Sequence, residues 1–92
     1  MVHLKLSTKQ FKSLISDIVN EINEVQHGSY TLTFNDPTTD RERCEAIISQ
    51  NWGGVFYLTY MDVLKALTTL YDISIWFEAG KDGAPQAVLI NE

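Results

Sequence analysis

Apolar residues recur at three- and four-residue steps early in the chain: Phe11, Leu14, Ile15, Ile18, Ile22 and Val25. That period places them on one face of a helix, predicted over residues 8–26. Ser7 is its expected N-cap, and Gln10, three residues on, completes a capping box. Leu6 and Phe11 occupy the two staple positions around that cap. Gly28 is the expected stop, since glycine accepts the left-handed conformation that ends many helices.

The pattern then changes period. Tyr30, Leu32 and Phe34 alternate with Thr31 and Thr33, which predicts a half-buried strand over residues 29–34. Asn35-Asp36-Pro37 turns the chain. Residues 38–50 fit two patterns. As a helix, Thr39 caps it, Glu42 completes the box, and Cys44, Ile47 and Ile48 face inward. As a strand, Cys44, Ala46 and Ile48 alternate with Arg43, Glu45 and Ile47. The strand is favoured, because a turn at Asn51-Trp52-Gly53-Gly54 and a second strand-like run at residues 55–58 follow, as in a meander. Thr59 is the expected cap of a second helix, with Asp62 at N3. Its buried stripe is Tyr60, Val63, Leu64, Leu67, Leu70 and Tyr71. Residues 73–79 alternate again, residues 80–85 form a loop, and residues 86–90 return as the second arm of a hairpin. The fold class expected is α+β: two amphipathic helices packed on one face of an antiparallel sheet of four or five strands.

Composition narrows the function. The 92 residues are expected to form a single domain, residues 1–92. The longest apolar runs, residues 55–58 and 87–90, fall far short of the roughly 20 residues of a membrane span. The opening MVHLKLSTKQF has no run suited to a secretory leader. A lone cysteine, Cys44, allows no intrachain disulfide, so a reducing, cytoplasmic setting is expected. Net charge is -5, which disfavours general binding to a phosphate backbone and suits a basic partner. The charge is uneven. The first twelve residues carry Lys5, Lys9 and Lys12 and no acid, hence +3; the other eighty hold four basic and twelve acidic groups, hence -8.

Catalytic chemistry finds little footing. His3 and His27 are the histidines, one near the terminus and one at a helix end, where a cation suits the dipole. Cys44 reads as a small buried hydrophobe. Asp36, Asp40, Glu42 and Glu45 lack calcium-loop spacing and are interleaved with Arg41 and Arg43. Gly53-Gly54 lacks the Lys-Ser/Thr of a phosphate loop. No metal, cofactor or enzymatic activity is expected.

Two features point to binding instead. If Ile73, Ile75 and Phe77 face the core, Trp76 faces away, and Trp52 lies in a glycine turn. Exposed tryptophans are the residues of interface hot spots, or of a second apolar layer or a dimer contact. Helix 1 also places Lys9 and Lys12 in its first turns and Glu21 and Glu24 in its last, against the helix dipole. With Lys5, Ser7 and Thr8 these lysines form an expected phosphate contact, while Glu21, Glu24, Asp36, Asp40, Glu42 and Glu45 form an expected acidic contact face.

Together these features suit a small acidic module acting by occlusion, an inhibitor of a larger basic nucleic-acid-handling protein or ribonucleoprotein. Phage anti-defence proteins, anti-CRISPR proteins among them, have this character. An immunity protein or antitoxin directed at one toxic enzyme uses similar physics. A small enzyme is the third class, with no visible nucleophile–base pair.

Overall fold

The computed structural model describes residues 3–25, 30–39, 42–50, 58–80 and 85–92. In chain order the elements are α1 (Thr8–Val25), β1 (Tyr30–Asn35), β2 (Glu45–Gln50), α2 (Leu58–Leu70), β3 (Ile73–Ala79) and β4 (Pro85–Asn91). The strands form one sheet in the order β1-β2-β4-β3, with every neighbouring pair antiparallel. Two helices and an antiparallel sheet make the fold α+β.

The start of α1 follows its cap chemistry. Gln10 N–H donates to Ser7 Oγ at 3.1 Å, and Ser7 N–H donates to Gln10 Oε1 at 2.9 Å, which satisfies two donors the helix itself leaves open. Leu6 packs half-buried against the core and Phe11 is fully buried. The buried line of α1 is Phe11, Ile15 and Val19, with Leu14, Ile18 and Ile22 flanking it. Val19 stands outside the stripe the spacing suggested. It lies one helical turn beyond Ile15, as Ile15 does beyond Phe11.

The N-terminal segment and β1 are tied down by polar contacts. Asn23 Nδ2 donates to the Tyr30 carbonyl at 3.2 Å, and Tyr30 N–H donates to Asn23 Oδ1 at 3.1 Å. One amide side chain thus does for the start of β1 what a neighbouring strand would. Leu4 N–H donates to the Leu70 carbonyl, and Asp72 N–H to the Leu4 carbonyl at 2.8 Å, fixing the chain start against the α2–β3 junction. Asn91 Nδ2 reaches the Leu6 carbonyl at 3.0 Å.

Of the two patterns that residues 38–50 fit, the favoured strand holds from Glu45, with Cys44, Ala46 and Ile48 buried; other expectations are corrected. Glu42 closes a turn instead, accepting from the Thr38 N–H at 2.8 Å and the Thr38 hydroxyl at 2.9 Å. The expected meander through residues 55–58 fails at Leu58, which opens α2; residues 55–57, like the turn at 51–54, lie outside the described residues. The second neighbour of β2 is β4. Ala87, Val88 and Leu89 are buried in succession, and a strand apolar on both faces belongs inside a sheet.

Thr59 lies inside α2 rather than before it. Val63 and Leu70 are exposed, at 39% and 58%. They stand about 100–120° around the helix from Leu64, whereas Leu67 and Tyr71 fall close to Leu64 and pack with the core. Gly28 and His27 lie outside the described residues.

The core gathers Phe11, Ile15 and Val19 of α1, Leu64 and Leu67 of α2, and strand residues that include Tyr30, Ala46, Ile48, Ala87 and Leu89. Burial of each large aliphatic side chain among them contributes about 1.5–3 kcal/mol.

A candidate interaction surface on the sheet

Side chains alternate along a strand, so cross-strand partners share a face. The pairs Leu32–Ile48, Ile48–Ala87, Phe34–Ala46, Ala46–Leu89 and Leu89–Ile75 carry the core side. The same register writes three rows on the opposite face. One is Thr31, Ser49, Gln86 and Glu78. The middle row is Thr33, Ile47, Val88 and Trp76. The third is Asn35, Glu45, Ile90 and Ser74.

The middle row is the informative one. Val88 is only 2% exposed yet is no member of the core cluster. Its partners across the strands are Ile47 on one side and Trp76 on the other. Trp76 itself is 43% exposed. An apolar strip therefore runs across this face and ends in a partly open indole at the edge strand β3. Phe77, on the core side of the same strand, is also exposed.

The charged side chains that the strands place on this face are of one sign. None of the four strands contains Lys, Arg or His, and their acids are Glu45 and Glu78, both on this face. Each carboxylate is held by neutral donors. Asn35 Nδ2 donates to Glu45 Oε1 at 2.7 Å. Gln86 Nε2 donates to Glu78 Oε1 at 2.8 Å, and the Trp76 indole N–H to Glu78 Oε2 at 3.2 Å. These bonds fix position without cancelling charge.

The acids named from the sequence divide by role. Glu21 and Glu24 are exposed on the last turns of α1. Asp36 pairs with Lys12 Nζ at 2.9 Å. Glu42 closes the turn at Thr38, and those two hydrogen bonds, backbone first, lower its pKa below the ordinary carboxylate value. Glu45 lies on the sheet. Asp40 and Trp52 lie outside the described residues.

The N-terminal lysines divide as well. Lys12 Nζ sits 5.4 Å from the Phe34 ring centroid, and its hydrogen bond to Asp36 raises its pKa. Lys5 Nζ lies 3.7 Å from Asp72 Oδ2. Lys9 is exposed, and its side chain makes no hydrogen bond or ion pair among the described residues. The inverted charge order of α1 thus has a structural use at Lys12, which reaches across to β1 and its following turn. Ser7 is engaged in the capping box, and Thr8 is half-buried.

His3 is exposed and Cys44 is buried. Burial, with Asp36 nearby, pushes the Cys44 thiol pKa up, the opposite of what a nucleophile requires. No group of three or more metal-ligating side chains forms among the described residues. No helix among them is long and apolar enough to cross a membrane.

Sequence reasoning reached Trp76 but missed its setting. Glu78, Gln86, Ile47 and Val88 join it only through strand order, and strand order is not written in alternation. The apolar run from Ala87 to Ile90 is the related feature of the sequence, and it admits a central strand without requiring one. No family model matches the chain, and no curated protein or solved structure is significantly similar to it.

Proposed function

We propose that this chain is a small acidic binding module that acts by occlusion, inhibiting a larger basic nucleic-acid-handling protein or ribonucleoprotein in the cytoplasm. The phage anti-defence proteins, anti-CRISPR proteins included, are of this type. The observation that carries the reading is a sheet face whose strands hold no basic residue, with two positioned carboxylates around the Ile47–Val88–Trp76 strip. In this reading both helices cover the other face and leave this one for the partner. A core of apolar and aromatic groups inside a polar rim is the usual anatomy of an interface. Fixed negative charge steers a basic partner and selects against wrong ones. The chain then needs no catalytic group, because it works by covering the partner's nucleic-acid surface.

The test begins with capture from nuclease-treated lysate, using wild type and the double variant Glu45→Lys, Glu78→Lys. The protein lost with the variant is then purified, and its nucleic-acid binding is titrated against this chain. Occlusion predicts stoichiometric loss of that binding. A captured enzyme blocked at a site without nucleic acid would move the reading to an immunity protein or antitoxin. An acidic partner, or undiminished nucleic-acid binding, would refute it.

A further inference from the structure

We propose that Trp76 and Glu78 form an arginine-recognition site: a partner's guanidinium stacks on the exposed indole and donates two hydrogen bonds to the Glu78 carboxylate. This rests on the reading of the sheet as the partner-binding face and names the chemistry that face recognises. An ionised carboxylate has about four acceptor positions. Gln86 takes one on Oε1 and Trp76 takes one on Oε2. One position stays on each oxygen, the arrangement that a bidentate guanidinium uses.

The indole is prepared for the same ligand. Its N–H is bonded to Glu78, so ring and carboxylate hold a fixed relation, and little side-chain freedom is lost on binding. A planar cation can lie on the ring face and reach the carboxylate along its own edge. A guanidinium is planar and stacks in this way, whereas an ammonium is a compact, strongly hydrated point charge. Beside the ring the row continues through the buried Val88 to the half-buried Ile47, so the surface bordering the indole is apolar and suits a methylene stem. No strand supplies a competing cation.

The charge pattern selects among occupants. A second copy packed face to face would bring Glu45 and Glu78 of both copies together without a strand cation to offset them. A nucleic acid would set phosphates against the same carboxylates. A protein segment bearing arginine meets both the ring and the charge.

The experiment is an amide and indole NMR titration of the full chain with a glycine-spaced tri-arginine peptide and its tri-lysine and tri-citrulline counterparts. The expected result is saturable movement of the Trp76 indole N–H and the amides of Glu78, Gln86 and Val88 with arginine. Lysine should bind about ten-fold more weakly, and citrulline should leave these signals unmoved. Trp76→Leu and Glu78→Gln should each abolish the arginine response, with the rest of the spectrum retaining its folded dispersion. Equal response to lysine and arginine would overturn the site. So would movement confined to α1 or the β1–β2 connection, response to a single-stranded oligonucleotide instead, or a sedimenting dimer lost with Trp76→Leu. If the arginine site fails while the captured partner is still inhibited, the occlusion reading stands with another contact chemistry.

Discussion

Asn23→Ala tests how the helix layer holds the sheet. It removes both bonds between α1 and the Tyr30 backbone, leaving a donor and an acceptor in a half-buried place. Each such orphaned group costs about 1–3 kcal/mol, and the lower end applies where water can enter. Alanine returns about 0.5 kcal/mol through better helix propensity. The net expectation is a loss of roughly 1.5–3 kcal/mol. In a domain of this size that lowers Tm by roughly 6–20 °C. Urea unfolding followed by far-UV circular dichroism reads it directly. Asn20→Ala is the matched control, because Asn20 is exposed on the same helix and its side chain makes no hydrogen bond among the described residues. It should stabilise slightly, by about 0.5 kcal/mol. If Asn23→Ala matched Asn20→Ala, the bonds to Tyr30 would contribute nothing and the account of how β1 is anchored would be wrong.

Charge reversal at the start of α1 should split by position: Lys9→Glu raises Tm by relieving the dipole conflict, while Lys12→Glu lowers it by setting like charges at Asp36. Equal shifts in one direction would contradict the assigned pairing. The Glu42 carboxylate is held below its ordinary pKa by Thr38, so its stabilising effect is complete above the ordinary carboxylate value and fades as pH falls toward the lowered one. Wild type should therefore lose its stability margin over Glu42→Gln on acidification, and a margin that is flat through acid pH would refute the turn. Burial and a raised pKa make the Cys44 thiol unreactive, so alkylation of the native chain at neutral pH should be slow and track unfolding. Fast alkylation that leaves the fold intact would show an accessible thiol.

Local structure was largely legible from the chain. The capping box at Ser7 and Gln10, the alternation from Tyr30 to Phe34 and the parity of Trp76 opposite Ile73 and Ile75 are all dictated within a few residues. What was not legible depends on residues far apart in sequence. The apolar run from Ala87 to Ile90 reads equally as a hairpin arm at an edge or as a central strand, and its place between β2 and β3 is decided by the pairing of Ala46 with Leu89 and Ile75 with Leu89. In α2, Val63 and Leu70 have the same hydrophobicity as Leu64 and Leu67. Only the direction of the sheet separates the buried pair from the exposed one.

The candidate surface divides in the same way. Trp76 and Glu45 were marked by residue type and spacing. Glu78 was passed over because an acid two residues beyond a tryptophan looks like ordinary strand decoration. Its meaning comes from Gln86, eight residues later and directly across the strand pair. The N-terminal lysines suggest an anion site because the internal partners of Lys5 and Lys12, Asp72 and Asp36, lie beyond the reach of local reasoning.

The central claim, that the sheet face bearing Glu45, Glu78 and Trp76 is what meets the partner, is tested most directly by association kinetics. The rate constant for binding the captured partner is measured across ionic strength for wild type and for Glu45→Gln, Glu78→Gln. The account predicts a wild-type rate that falls steeply with salt, and a variant of equal stability with a slower low-salt rate and a shallower slope. Coincident slopes for the two proteins would contradict it.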